Sequence, residues 1–278
     1  MAGQISTIRK RIRTVNSTRK LTNATELVAT VKLRKYNVKA QQNMAYAANL
    51  RRFIDVALSG EKPEVEKNPY LTVSDIDNPL HVIITANSGL CGTYNTEVLK
   101  FVSENIPQDE PIFVIGTVGF NWLMKNNYLV VKKYDELEDL QPRVLNSLIY
   151  DLMTLYMMNE ISAIDVVYTH YINTLTYHPE IMKLLPFLQE EQAEPSDIFL
   201  EPTRDEVMNR LIPMYISSQI YIAFLEAKTS ENAARRNAMS LANKNAEKLI
   251  DELTLHYNQA RQAAITQEMN EIIAAQRK

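Results

Sequence analysis

The sequence predicts an α/β protein with long helices, an antiparallel coiled coil of its N- and C-terminal helices projecting from an open α/β (Rossmann-like) middle domain. Three observations carry that expectation. Glycine and proline are absent from residues 4–59 and 214–278; apolar residues in both segments recur at spacings of three and four; and short apolar runs alternate with helical patterns between them. Gly and Pro are the strongest helix punctuators, so these unbroken segments read as continuous helix. The expected organisation is an N-terminal coiled-coil helix over 1–59, a globular α/β domain over 60–203 and a C-terminal coiled-coil helix over 204–278.

In the C-terminal arm, Met239, Ala242, Ala246, Leu249, Leu253, His256 and Ala260 follow alternating spacings of three and four, the pattern of a coiled-coil seam. In the N-terminal arm Ile5, Ile8, Ile12 and Val15 keep the same rhythm. It lapses at Thr18 and Arg19 and resumes with Leu21, Ala24, Val28 and Val31, which predicts a local change of supercoiling. Length makes the two arms partners. A helix from Pro213 to Gln276 is about 95 Å long, whereas a compact chain of this size is about 50 Å across. Its own body cannot cover such a helix, and only the other arm offers an apolar seam of similar length.

Between the arms, His81–Ala86, Ile112–Ile115, Leu129–Tyr134, Ile164–Tyr171 and Ile181–Leu185 read as strands. Tyr94–Asn105, Val118–Lys125 and Val144–Met158 read as helices. The alternation predicts a largely parallel sheet with helices packed on it. Charge divides the same way. Residues 1–59 carry 12 Lys and Arg against Glu26 and Asp55, residues 60–213 have a net charge of −14, and the whole chain only −3. A near-neutral total conceals a basic arm joined to an acidic body.

Several function classes are excluded. No apolar run reaches the roughly 18 residues of a membrane-spanning helix. The single cysteine, Cys91, forms neither a disulfide framework nor a Cys-rich zinc site. The four histidines make no HxxxH pair, and Met1 leads straight into a charged helical pattern, so no secretory leader is expected. Asn87–Gly92 and Gly116–Gly119 each follow a strand and precede a helix, where backbone N–H groups could gather around a phosphate. Neither is GxGxxG, and GxxxxGK[ST] occurs nowhere, so the glycines are expected to serve tight turns. Cys91 has no histidine near it in sequence, no GxSxG elbow is present, and Asp135–Asp139 is a carboxylate run without the spacing of a cation loop. No constellation makes the chain an enzyme by itself.

The two termini carry longer matches. Ile8-Arg-Lys-Arg-Ile-Arg-Thr-Val-Asn-Ser-Thr-Arg-Lys-Leu-Thr22 and Lys32-Leu-Arg-Lys35 resemble the opening of the gamma subunit of F-type ATP synthases. Ser88-Gly-Leu-Cys-Gly92 resembles a motif of the same family, as do Lys183–Pro186 and Tyr221–Glu226. The strongest matches are Ser230-Glu-Asn-Ala-Ala-Arg-Arg-Asn-Ala-Met239, Ala260-Arg-Gln-Ala-Ala-Ile-Thr-Gln-Glu268 and Glu271–Ile273. The resemblance spans essentially the whole chain.

It implies a rotor that couples rotation to ATP synthesis or hydrolysis. The coiled coil would turn inside a ring of alpha and beta subunits, with the body against the epsilon subunit and the membrane c-ring. Catalysis, ATP or ADP, and Mg would belong to alpha and beta, leaving no cofactor on this chain. Arg261 and Gln262 match the family's polar pair that engages a beta subunit. Arg9, Arg13, Lys20 and Lys32 are candidates for electrostatic contact with the ring, and Gly89 and Gly92 for shaping the turn at the base of the stalk. Without a leader, the resemblance implies a bacterial protein peripheral to the cytoplasmic face of the cell membrane.

The departures fall in few places. Thr25–Ala29 stands where the family has Met-Lys-Met-Val-Ala, so that Glu26 replaces a base. Ala86–Ser88 replaces Ser-Asp-Arg, Thr117 and Val118 replace a basic pair, and the tip after Ala274 lacks the family's glycine and apolar ending. Two alternatives therefore stay open: a gamma-like shaft of a divergent ATPase ring not coupled to proton transport, and a basic helical module binding nucleic acid or an anionic membrane surface.

Overall fold

The computed structural model describes residues 2–58, 69–134, 140–187 and 203–276, so the acidic run Asp135–Asp139 lies outside the described residues. Helix α1 spans Ala2–Leu58 and helix α5 spans Arg204–Gln276. Between them lie β1 (Pro79–Ile84), α2 (Tyr94–Asn105), β2 (Ile112–Ile115), α3 (Thr117–Lys125), β3 (Val130–Tyr134), α4 (Pro142–Met157), β4 (Ala163–Tyr171) and β5 (Tyr177–Leu185). The chain forms two compact units, Met1–Thr30 with Arg235–Lys278, and Val31–Ala234, so each long helix contributes to both.

In the first unit α1 and α5 run antiparallel. Arg19 faces Glu247 at 3.8 Å, whereas Glu26, two turns further along α1, faces Asn243 at 2.7 Å. Besides Asn16 and Thr25, the shielded residues of α1 among those described in this unit are Ile5, Ile8, Ile12, Val15, Arg19, Thr22, Glu26 and Ala29. That is an unbroken three–four repeat, so no change of phase occurs. The expected resumption at Leu21, Ala24, Val28 and Val31 is wrong: all four are exposed, Leu21 by 67% and Val31 by 69%. The seam holds its phase through polar residues because α5 answers them. The Asn243 amide donates to Asn23 Oδ1 at 2.9 Å and to Glu26 Oε2, and the Thr22 hydroxyl donates to the Asn243 carbonyl oxygen. On α5 the shielded set includes Met239, Asn243, Ala246, Ile250, Leu253, Tyr257, Ala260 and Ala264. His256, expected in the seam, is exposed, and its neighbour Tyr257 takes the inward position.

The second unit is built on a five-stranded sheet in the order β3-β2-β1-β4-β5. β1 to β4 are parallel, and β5 returns antiparallel to β4 as a hairpin. The two-residue period of a strand divides β1 between two cores. Leu80, Val82 and Ile84 pack with Tyr36 and Ile54 of α1, Leu148 and Leu152 of α4, and Ile216 and Phe224 of α5. Ile83 points the other way, onto Val102 of α2 and Leu123 of α3. Thirteen consecutive α5 residues, Ile222–Ala234, are buried, including Glu226, Lys228, Ser230, Glu231 and Asn232. A helix buried on every side must pair its polar groups internally. Lys228 accordingly donates to Glu231 at 2.9 Å, and Asn232 to the Lys228 carbonyl at 2.8 Å.

Candidate functional site

The two glycine turns are filled by the chain itself. At the start of α3 the N–H groups of Thr117, Val118 and Gly119 donate to Asn87 Oδ1, the Ala86 carbonyl and Thr85 Oγ1, each within 3.1 Å. Around the other turn, Tyr94 N–H donates to the Cys91 carbonyl and Ala86 N–H to Asn95 Oδ1. Gly92 and Leu90 take φ of 58° and 62°, the left-handed region, while a Cβ on Gly89 would meet nothing within 4 Å. Leu90 is also 69% exposed.

Doubly wound sheets bind ligands where the strand order reverses, at the carboxyl ends of the strands. Here that point lies between β1 and β4, and α5 occupies it. Ala234 packs on Ala86, Cys91 and Tyr94 beyond β1. Ser230 Oγ donates to the Thr169 carbonyl at 3.4 Å, and Glu226 Oε2 lies 2.7 Å from His170 Nδ1 at the end of β4. Burial pushes the Glu226 carboxyl above the usual range, and hydrogen bonds from His170 and the Tyr171 N–H partly offset it. Among the described residues, no group of three or more His, Cys, Asp or Glu side chains could hold a metal ion.

The residues expected to make contacts do not form one cluster. Arg9, Arg13 and Lys20 are exposed on α1, and Arg261 and Gln262 are exposed on α5. The antiparallel register through Arg19–Glu247 sets Arg261 and Gln262 level with the stretch of α1 around Ile5. Lys32 is half-buried in the second unit. What sequence reasoning missed is the polar layer of Arg19, Thr22, Asn23, Glu26, Asn243 and Glu247; the three–four positions of Thr22 and Glu26 after Val15 were its only signal.

A family model described as ATP synthase matches residues 4–277. A curated ATP synthase gamma chain from Clostridium novyi is 34% identical over 278 residues, covering 98% of this chain and 96% of the relative. The chain belongs to the ATP synthase gamma family. The gamma chain of Streptococcus uberis is likewise 34% identical, covering 99% of this chain and 98% of its own length. In the solved mitochondrial ATP synthase of Euglena gracilis, a chain of the OSCP/F1/c-ring structure superposes with a TM-score of 0.69 at 17% identity, over 99% of this chain and 94% of its own. The central stalk and c-ring structure from Tetrahymena thermophila matches 80% of this chain and 99% of its own, with a TM-score of 0.59 at 20% identity. Membership makes this chain the central-stalk gamma subunit, which is not itself a catalytic subunit.

Proposed function

We propose that the paired ends of this chain turn inside a ring of alpha and beta subunits, and that Arg261 and Gln262 carry the contact through which rotation and ATP chemistry are coupled. One observation supports the reading above others. The helix pair is inside out along its middle: Arg19, Thr22, Glu26 and Asn243 face inward, while Leu21, Leu27, Val28 and Leu241 are each more than half exposed. A free-standing coiled coil puts its apolar residues in the seam. Apolar side chains displayed on a shaft are what a surrounding protein covers. Arg9, Arg13 and Lys20 add cations whose exposed ion pairs, at about 0–1 kcal/mol each, break readily on every turn.

Nucleotide and Mg belong to the partner subunits, and this chain acts on them by contacting one conformation more favourably than another. The epsilon subunit and a membrane c-ring are its partners away from the ring. The complex sits at the cytoplasmic face of a bacterial membrane. Among the described residues no helix is long and apolar enough to cross one.

Reconstitution with alpha and beta subunits tests the coupling contact. Arg261→Ala combined with Gln262→Ala should cut ATP turnover by roughly thirtyfold or more, the scale of about 2 kcal/mol for one charged and one neutral hydrogen bond. Both residues are exposed, so the melting temperature of the chain should stay put. Unchanged turnover would remove the pair from the coupling role.

A further inference from the structure

Rotation imposes a demand that static packing does not. A helix held only by apolar contacts can creep about its own axis, because dispersion contacts have little directionality. A helix that carries torque into a sheet needs directional ties to it. One stretch of α5 offers such ties to the end of β4. Glu226 and Ser230 lie one turn apart on one face of the helix, and both meet the last residues of β4. Glu226 Oε2 contacts His170 Nδ1 at 2.7 Å, the Tyr171 N–H donates to the same carboxylate, and Ser230 Oγ donates to the Thr169 carbonyl at 3.4 Å.

The grip extends into the hairpin. The His170 ring meets His178 of β5 edge-on, with centroids 5.6 Å apart, and His178 Nε2 lies 3.5 Å from Glu180. Glu180 in turn accepts a hydrogen bond from the Tyr168 hydroxyl. A buried carboxylate is costly, since Leu in its place would lose no desolvation energy. Yet Glu226 is only 5% exposed, in a segment whose other polar groups are also satisfied.

We infer that Glu226 is the torque key of this chain: with His170 and the Tyr171 N–H it fixes the rotational setting of α5 on the β4–β5 hairpin, so that helix and sheet turn as one piece. It is a positioning residue, not a catalytic one. The inference rests on the rotor reading above. Its readout is angular stiffness, which burial alone does not set.

The test uses the assembled alpha–beta–gamma complex with the ring immobilised. A probe is attached through Leu175→Cys, at the 81% exposed tip of the β4–β5 hairpin, where the buried native Cys91 does not compete for label. Angular fluctuation of the probe is recorded with the ring arrested by a non-hydrolysable ATP analogue, then rotation is recorded during ATP hydrolysis. Glu226→Leu removes two of the three ties, so the angular variance of the arrested state should rise by up to about threefold, counting the ties as parallel springs. Glu226→Gln can still hydrogen-bond His170 and Tyr171, and should keep the wild-type variance. Equal variance in all three proteins overturns the key. A wild-type probe that never rotates during hydrolysis overturns the rotor reading instead. If Glu226→Leu fails to assemble, the comparison passes to His170→Leu, which removes one tie and should widen the spread by a smaller factor; no widening there also overturns the key.

Discussion

Gly116→Ala is expected to lower the melting temperature of the chain by roughly 10 °C, the equivalent of about 3–4 kcal/mol for a protein of this size. Two effects add at that position. Gly116 has φ of 109°, a conformation that L side chains rarely adopt, and a Cβ there would lie 2.3 Å from the Thr85 carbonyl oxygen. That oxygen belongs to the backbone leaving β1, so it cannot swing aside. Gly119 makes a useful contrast, because its Cβ would meet the side chain of Thr85, with Oγ1 at 2.5 Å and Cγ2 at 2.6 Å. Thr85→Ala should therefore recover more of the loss caused by Gly119→Ala than of that caused by Gly116→Ala, where it relieves the Oγ1 contact at 2.5 Å but leaves the carbonyl oxygen at 2.3 Å. The recovery is partial because Thr85 Oγ1 also accepts the Gly119 N–H. Gly89→Ala, with nothing within 4 Å, should melt close to wild type. Thermal unfolding of the three glycine variants, and of Gly116→Ala and Gly119→Ala each combined with Thr85→Ala, followed by circular dichroism decides the point. A Gly116→Ala protein as stable as Gly89→Ala would mean that the β2–α3 turn can relax away from β1.

The long helices were legible because what marks them is an absence that no tertiary contact can disguise: no Gly and no Pro over residues 4–59 and 214–278, although α5 begins earlier and runs through Pro213. Tyr94–Asn105 and Ile112–Ile115 appear at the predicted boundaries for a similar reason, since Pro107, Pro111 and Gly116 punctuate them. The phase of the seam was not legible past Val15. A rule that looks for apolar residues selects Leu21 and Val28, but the inward positions are occupied by Thr22 and Glu26. Their placement makes sense only with Asn243 opposite, more than 200 residues away, and one sequence does not show who faces whom. The buried stretch Glu226–Asn232 failed to register for the same reason. The partners of Glu226, His170 and Tyr171, lie on a strand whose register is set by β1 and β5. Arg261 and Gln262 came from family resemblance; periodicity and charge give two exposed polar residues there no distinction.

His81→Leu should destabilise the chain by about 3 kcal/mol at neutral pH, and the loss should fade in acid. His81 of β1, Asp165 of β4 and Lys183 of β5 stand in register across three adjacent strands. His81 Nε2 lies 2.6 Å from Glu110 and Nδ1 lies 3.8 Å from Asp165, with the imidazole side chain 5% exposed. Burial holds the Asp165 carboxyl above the usual carboxylate range; His81 and Lys183 pull it back, and Glu110 pushes it up. An acid whose folded value is raised opposes folding when ionised. The penalty is full above the folded value, shrinks as pH falls through it and vanishes below the unfolded value of about 3.9. Leucine removes the group that most offsets the burial of Asp165, so the folded value climbs further and the penalty at neutral pH grows. Chemical denaturation of wild type and variant across the acidic range should thus give curves that are widest apart near pH 7 and converge as pH falls toward the unfolded carboxylate value of about 3.9. Adding Asp165→Asn removes the charge in question, so the double variant should regain most of the stability at pH 7 and lose the pH dependence of the gap. A gap that stays constant with pH would assign the cost of His81→Leu to misfit packing beside Ile83 and Ile112, and the charges across the strands would then be spectators.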